Sequence, residues 1–354
     1  RGNRLIPGKK PPDRGLKIKN LKDNRCYIIA EIGGNFTTFE EAKNLVDLAY
    51  DTGVDAVKLQ TYKAETIVTK TARFDLDNVG NILQSELFKK YEIDIELHRK
   101  VFDYIESKGL DWFSTPSHRT DVDMLDSLGV AAHKLGADDA TNLPFIKYVA
   151  KTGKPILLSS GMCTLEEVKE MINACLEVGN DKIILFHTVS NYPTYPEQVN
   201  LKAMQTLKKE FPYIKVGFSD HTIGSTACFA AACMGAEVVE KHFTYDKNAQ
   251  GPDHILSANP QEMKEIVDKI REFEIMRGTG AKRPVGKEIT NREKNRKSIV
   301  AIKTIKKGEL FTIENIDIKR PGHGIAPKYF EEILGKVAKE DIEDDKVLYW
   351  SDIV

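Results

Sequence analysis

The stretch KVGFSDHTIGSTACFAAACMGAEVVEKHF, residues 215–243, decides the fold. It opens on a short apolar-rich run, KVGFSD (215–220), and closes on a second, VVEKHF (238–243). A helical segment stands between them, so the stretch reads as one strand–helix–strand unit of a parallel sheet. Both runs end in polar and imidazole side chains, which buried strands carry only at their margins.

The same unit recurs towards the N-terminus. Strand-like runs lie at 26–32 (CYIIAEI), 56–60 (AVKLQ), 111–116 (DWFSTP), 132–136 (AHKLG), 155–160 (PILLSS) and 183–189 (IILFHTV). Helical stretches alternate with them. The first begins after Thr38, a possible N-cap, and closes at Gly53. A long polar insertion at about 61–92 precedes the helix at 94–108, and a last helix at about 260–278 follows the eighth strand. The strands are short apolar runs, as parallel strands buried on both faces should be. A doubly wound sheet would also alternate strand and helix, but eight repeats over residues 26–280 favour a closed (β/α)8 TIM barrel in an α/β fold.

Past residue 280 the texture changes. AKRPVGKEITNREKNRK is polar and basic and reads as a linker over 281–296; residues 297–354 then form a small β-rich domain. Residues 1–25 read as a flexible leader, basic and rich in proline and glycine towards its start. The chain of 354 residues has a net charge of −1, 41% hydrophobic and 30% charged residues, so nothing in it calls for nucleic acid or an anionic membrane as partner. No apolar run approaches the roughly 20 residues of a membrane span. The five scattered cysteines form no CxxC pair and read as reduced thiols of a cytoplasmic protein.

In a barrel of this kind the chemistry sits at the C-terminal ends of the strands. Those ends carry Glu31, Lys58 with Gln60, Ser114, Lys134, Ser159 with Ser160, His187 with Ser190, Ser219 with Asp220 and His221, and Glu240 with Lys241 and His242. His221 and His242 fall at equivalent places on adjacent strands. They either share a metal ion, for which two imidazoles with water and substrate oxygens suit an octahedral Mn²⁺-type ion, or are two separate polar histidines bonded to backbone. Glu240 could be a third ligand or an anchor for the ligands. Lys58 and Lys134 point to an anionic substrate with more than one negative group, to internal pairing with Glu31 or Asp139, or to a Schiff base. Ser160-Gly161 and Ser219 would add donors to a phosphate site. His98, His118 and His133 read as surface or packing residues, Met162 as core, and REKNRK at 292–297 as a solvated run.

These strand ends also carry a resemblance. IAEIGGN at 29–35, VKLQTY at 57–62, FSTP at 113–116, HKLGADDATN at 133–142, LLSSGM at 157–162, FHTVSNYPT at 186–194, GFSDHT at 217–222, VVEKHFT at 238–244 and GPDH at 251–254 resemble the sialic acid synthase family, and KRPGHGI at 319–325 resembles its C-terminal antifreeze-like (SAF, β-clip) domain. The resemblance implies condensation of phosphoenolpyruvate with an acylated amino-hexose such as N-acetylmannosamine, giving a nine-carbon 2-keto acid and phosphate. It implies a divalent metal, Mn²⁺ first and Mg²⁺ or Co²⁺ as alternatives, held by His221 and His242. It implies a domain-swapped homodimer in which one chain's SAF domain covers the other's barrel mouth.

Position by position, Lys58, Lys134, Ser160, Ser190 and Ser219 match the phosphoenolpyruvate site. Gln60, Asp139, Tyr192 and Asp253 match the sugar site, with Arg320 arriving from the partner chain. Glu31, Lys58, Lys134 and Glu240 are the expected catalytic groups. Two departures bear on the exact substrate: Ala137 stands where the family usually has serine, which removes a hydroxyl contact to phosphate, and Asp139 where glutamate is common, which shortens the sugar contact by one methylene. A legionaminate- or pseudaminate-type synthase using a diacetamido hexose, a Schiff-base aldolase, and a non-catalytic carbohydrate- or ice-binding protein are the alternatives.

Overall fold

A computed structural model describes residues 18–76, 80–251 and 253–354; most of the expected leader, residues 1–17, lies outside them. Two compact units emerge, Arg1–Arg277 and Gly278–Val354. In the first, eight parallel strands close into a barrel. They are β1 (Tyr27–Glu31), β2 (Ala56–Thr61), β3 (Asp111–Pro116), β4 (His133–Leu135), β5 (Ile156–Ser159), β6 (Ile183–Thr188), β7 (Lys215–Asp220) and β8 (Val238–His242). Each pairs with its neighbours in sequence, and β8 pairs with β1 to close the ring. Helices α1 (Phe39–Thr52), α2 (Ile95–Ser107), α3 (Arg119–Leu128), α4 (Leu143–Ala150), α5 (Leu165–Glu177), α6 (Ala203–Glu210), α7 (Thr226–Cys233) and α8 (Pro260–Met276) follow the strands in turn.

Local chemistry starts and stops these helices where the chain must turn. Thr38 caps α1 in a reciprocal capping box with Glu41, and Gly53 ends the helix at φ 86°, a conformation that a side chain makes costly. Strands and inner helix faces then merge into one continuous apolar core, with β-strand residues such as Ile29, Val57, Phe113, Leu157, Leu185 and Val238 fully buried. Gly217 on β7 lets the barrel close tightly, since a Cβ there would lie 2.6 Å from the Val238 carbonyl oxygen.

The insertion after β2 is more ordered than its polar composition predicts. It contains a helical turn at Ala64–Ile67, an antiparallel hairpin of Arg73–Leu76 and Gly80–Leu83, and a two-turn helix at Gln84–Tyr91. Tyr62, Leu87 and Tyr91 are buried within it, packed by Ile67, Phe74, Ile82 and Phe88.

The second unit has its own small core of Ile299, Ile305, Phe311, Ile316, Ile325, Ile333, Ile342 and Leu348. Its strands β9 (Ser298–Ala301) and β10 (Ile316–Lys319) pair antiparallel. The expected linker contains a two-turn helix, Glu288–Asn295, exposed along its length. Against that helix lies the loop carrying Arg320: Gly322 donates to the Glu293 carbonyl at 2.7 Å. A Cβ on Gly322 would come 2.9 Å from the Arg292 carbonyl, so glycine is required for this approach. Among the described residues no helix is long and apolar enough to cross a membrane.

Candidate active site

Register places the site. Glu31 on β1 stands opposite Lys58 on β2 and His242 on β8, while Glu240 on β8 stands opposite Ser219 on β7. Their side chains meet in a cavity of about 620 Å³ at the strand ends. It brings together Glu31, Lys58, Gln60, Lys134, Ser190, Tyr192, Ser219, His221, Glu240, His242 and Asp253 from the sequence reading.

At its floor is an alternating charge network. Lys58 and Glu31 form a buried ion pair, and Lys58 also donates to Thr115 Oγ1 at 2.6 Å. Glu240 lies between the two lysines, 3.8 Å from Lys58 and 3.4 Å from Lys134. Ser219 donates to the same Glu240 carboxylate at 2.9 Å, and Gly33 N–H donates to Glu31 at 2.5 Å. A Cβ at Gly33 would strike that Glu31 oxygen. The Lys134 ammonium sits 5.2 Å from the Phe186 ring centroid.

Burial opposes every charge here, and the neighbours decide the outcome. Desolvation would raise Glu240, yet the Lys134 and Lys58 ammonium groups hold its carboxyl down at about 2. Lys58 stays protonated because Glu240 and Glu31 outweigh the cost of its burial. Burial lowers Lys134, with Glu240 offsetting only part. Burial, reinforced by the Glu31 charge, pushes Asp253 up to about 7.

His221 and His242 face each other with ring centroids 5.6 Å apart, and Tyr192 lies over His221 at 4.2 Å. Burial depresses both imidazoles, so they are neutral near pH 7, the form in which imidazole binds a metal. His221 donates from Nδ1 to the Val189 carbonyl at 2.7 Å, which leaves Nε2 as the lone-pair nitrogen. His242 Nδ1 is buried without a hydrogen bond and lies 3.7 Å from Asp253. Among the described residues no group of three or more His, Cys, Asp and Glu side chains is arranged to hold an ion. The two facing neutral imidazoles, with His242 Nδ1 unpartnered, are the donors that an ion completed by water and substrate oxygens would take from the protein.

Several sequence expectations move by one residue. Ser159, not Ser160, lines the cavity; the Ser160 hydroxyl donates to the Phe186 carbonyl at 2.6 Å. Asp138, not Asp139, lines it as well; Asp139 accepts from Asn142, the N-cap of α4. Thr115 and Thr188 line the cavity where Ser114 and His187 were expected. Ser114 instead bonds Thr61, which donates to His98, and His187 Nε2 donates to the Val199 carbonyl at 2.7 Å. Successive strand side chains alternate between the barrel interior and the helix layer, so a one-residue choice decides the face. Lys241 and Asp220 follow the same rule and form a buried pair at 2.6 Å outside the cavity lining.

His98 and His133 are buried packing residues bonded to Thr61 and Asp126, and His118 caps α3. Met162, expected in the core, is 72% exposed at φ 61° on the loop after β5, because the chain has already left the strand. Arg320 belongs to the second unit. All five cysteines are free thiols.

Fold and site together define a (β/α)8 enzyme with a cationic, carboxylate-braced cavity at its strand ends. Residues 45–282 match the model of the NeuB family and residues 296–354 that of the SAF domain; the chain belongs to the NeuB family of nonulosonic acid synthases. It is 40% identical to the N,N'-diacetyllegionaminic acid synthase of Campylobacter jejuni, over 92% of this chain and 99% of that one. It is 39% identical to the N,N'-diacetyllegionaminic acid synthase of Legionella pneumophila, over 99% of each. Among solved structures, the N-acetylneuraminic acid (sialic acid) synthetase of Leptospira borgpetersenii in complex with citrate aligns at a TM-score of 0.67 and 28% identity, covering 75% of this chain and 90% of that one.

Proposed function

We infer that this protein condenses phosphoenolpyruvate with an acylated amino-hexose and water to a nine-carbon 2-keto sugar acid and phosphate. One observation carries the reading. Of the seven buried side-chain polar atoms without a hydrogen bond among the described residues, five belong to cavity residues: Glu31, Thr188, Ser190, Glu240 and His242. The Glu31 and Glu240 oxygens among them face the Lys58 ammonium; buried polar groups are otherwise satisfied, so the Thr188 and Ser190 hydroxyls and the His242 ring wait for a polar ligand. Beside them stand two ammonium groups, which suits a small molecule carrying both a carboxylate and a phosphate.

In this reading Lys58 and Lys134 bind the two anionic groups of phosphoenolpyruvate, with Ser190, Ser219, Thr188 and Ser159 offering hydroxyls. Glu240 stands between the two lysines, helping to hold Lys58 protonated and offsetting part of the burial that lowers Lys134. A divalent ion, Mn²⁺ first, would supply Lewis-acid polarisation of the acceptor's aldehyde oxygen. His221 and His242 would hold it, with the Asp253 carboxyl 3.7 Å from the His242 ring. The new bond joins C3 of phosphoenolpyruvate to C1 of the open-chain hexose as the C1=O π bond opens, and the resulting oxyanion takes up the proton that the added water gives up. Electron density leaves the enol double bond, positive charge develops at C2, and the Glu31 carboxylate faces it. Water adds at C2, losing a proton, and the C2–O bond breaks to release phosphate and the 2-keto acid. Gln60, Tyr192, Asp253 and Asp138, which line the cavity, would orient the sugar in this reading.

The active unit in this reading is a homodimer in which Arg320 of one chain reaches the other chain's sugar. Supporting it are the exposed apolar side chains on the loops after β5 to β8: Met162, Tyr192, Tyr195, Ile223, Tyr245 and Ile255. The identities to legionaminate synthases favour a second version of the acceptor, a diacetamido hexose in place of N-acetylmannosamine. The test is incubation with phosphoenolpyruvate, Mn²⁺ and a panel of hexosamines, reading released phosphate and product mass. A product equal in mass to both reactants plus water minus phosphoric acid is expected. No phosphate release with any acceptor would overturn the reading.

A further inference from the structure

The cavity has two unlike ends. Its floor holds both of its cations, Lys58 and Lys134, each beside a carboxylate. A separate part of its lining comes from the insertion after β2 and is largely apolar, made of Ile67, Phe74, Leu87 and Phe88 with the rings of Tyr62 and Tyr91. This wall is a built surface. The Phe88 ring packs edge-on against Tyr62 at 5.0 Å and Phe74 at 5.9 Å. Tyr91 donates to the Gln250 carbonyl at 3.3 Å, which ties the insertion to the loop after β8. The insertion is rich in cations, yet Lys63, Lys70, Arg73, Lys89 and Lys90 are absent from the cavity lining among the described residues. Arg73 is bonded to Asn81, Lys89 to Glu92, and Lys90 lies over the Tyr91 ring at 5.4 Å.

Resting on the condensation reading above, the floor takes phosphoenolpyruvate and the acceptor's reacting carbon. The acceptor's remote end then meets the apolar wall. A phosphate there would be desolvated against side chains of this chain that include no cation, which is strongly unfavourable. A methyl or acyl group would gain contact with Phe74 and Phe88. We propose that the insertion wall of Ile67, Phe74, Leu87 and Phe88 determines acceptor specificity, selecting an uncharged amino-hexose whose terminal carbon is a methyl group and rejecting the 6-phosphorylated hexose.

The experiment compares kcat/KM for three acceptors with the full chain: N-acetylmannosamine, its 6-phosphate, and its 6-deoxy analogue 2-acetamido-2,6-dideoxymannose, which differs from it only at the terminal carbon. The 6-deoxy acceptor should exceed N-acetylmannosamine by about tenfold, the low end for one well-placed apolar contact. The 6-phosphate should fall about a hundredfold or more below N-acetylmannosamine. Phe88→Lys should narrow the phosphate discrimination at least about tenfold, while Phe88→Leu preserves it. Equal use of the phosphorylated and free sugars by the unaltered protein would overturn this proposal and leave the condensation reading standing. Turnover of none of the three would overturn both. Unchanged discrimination in a folded Phe88→Lys protein would also overturn the role of the wall.

Discussion

Glu31 and Lys58 occupy paired positions on adjacent parallel strands, and their side chains close a buried ion pair at the barrel mouth. Both residues are almost inaccessible, at 1% and 3% exposure. A pair this deep contributes little net stability against a well-packed apolar substitute, but removing one member strands the other charge.

Lys58→Met should therefore lower unfolding free energy by about 3–5 kcal/mol in urea titrations. Adding Glu31→Gln should recover a large part of that loss without restoring turnover. A single variant costing under about 1 kcal/mol would contradict the buried-pair account.

The imidazole pair makes a separate claim on metal binding. Mn²⁺ affinity, read by the loss of the free-ion electron paramagnetic resonance signal, should fall well over tenfold in His221→Ala and in His242→Ala. Asp253→Asn, which leaves both rings in place, should weaken it about 10–100-fold at most. Metal affinity surviving intact in both histidine variants would exclude them as ligands.

Asp139 and Asp138 should separate by function. Burial raises the Asp139 carboxyl to about 6 from an ordinary 3.8. A raised carboxyl binds protons more tightly in the folded state, so its stability penalty is complete above about pH 6 and disappears as pH falls below about 4. Asp139→Asn should accordingly gain about 1–2 kcal/mol relative to the parent at pH 7 compared with pH 4. Acceptor KM should rise more in Asp138→Asn, because Asp138 lines the cavity. The reverse ranking of KM effects would return Asp139 to the sugar site.

Sharing of the site between chains is testable by mixing. Arg320→Ala and His221→Ala proteins should each be poorly active alone. Unfolded together and refolded, they should regain activity through mixed dimers that contain one undamaged site. No recovery, with mixed dimers shown to form, would contradict a site completed in trans.

Much of this molecule is legible from its sequence. Short apolar runs separated by helices locate all eight strands, since burial on both faces leaves a β-rich signature that loops lack. The lysine, glutamate and histidine positions follow because charged residues at the end of such a run have few structural uses. Finer choices fail where period-2 geometry is cut off by a loop. SerSer at 159–160, SerThr at 114–115 and HisThr at 187–188 each offer two polar residues in a row on a strand or at its end, and only one can face inward, while AspAsp at 138–139 lies in a helical turn just past the strand, where strand alternation gives no guide. Register would have resolved one of these: Gln60 pairs with Thr115, so inward-facing Gln60 places Thr115, not Ser114, at the cavity. The insertion escaped because its hairpin strands have four residues each and its aromatic side chains pack on one another, without a long periodic face.

Oxygen-18 water tests the central claim most directly. With phosphoenolpyruvate, Mn²⁺ and an accepted hexosamine, the account predicts a nine-carbon keto acid and released phosphate free of label, because the bond broken is C2–O. Label in the phosphate, or phosphate released without the nine-carbon product, would contradict it.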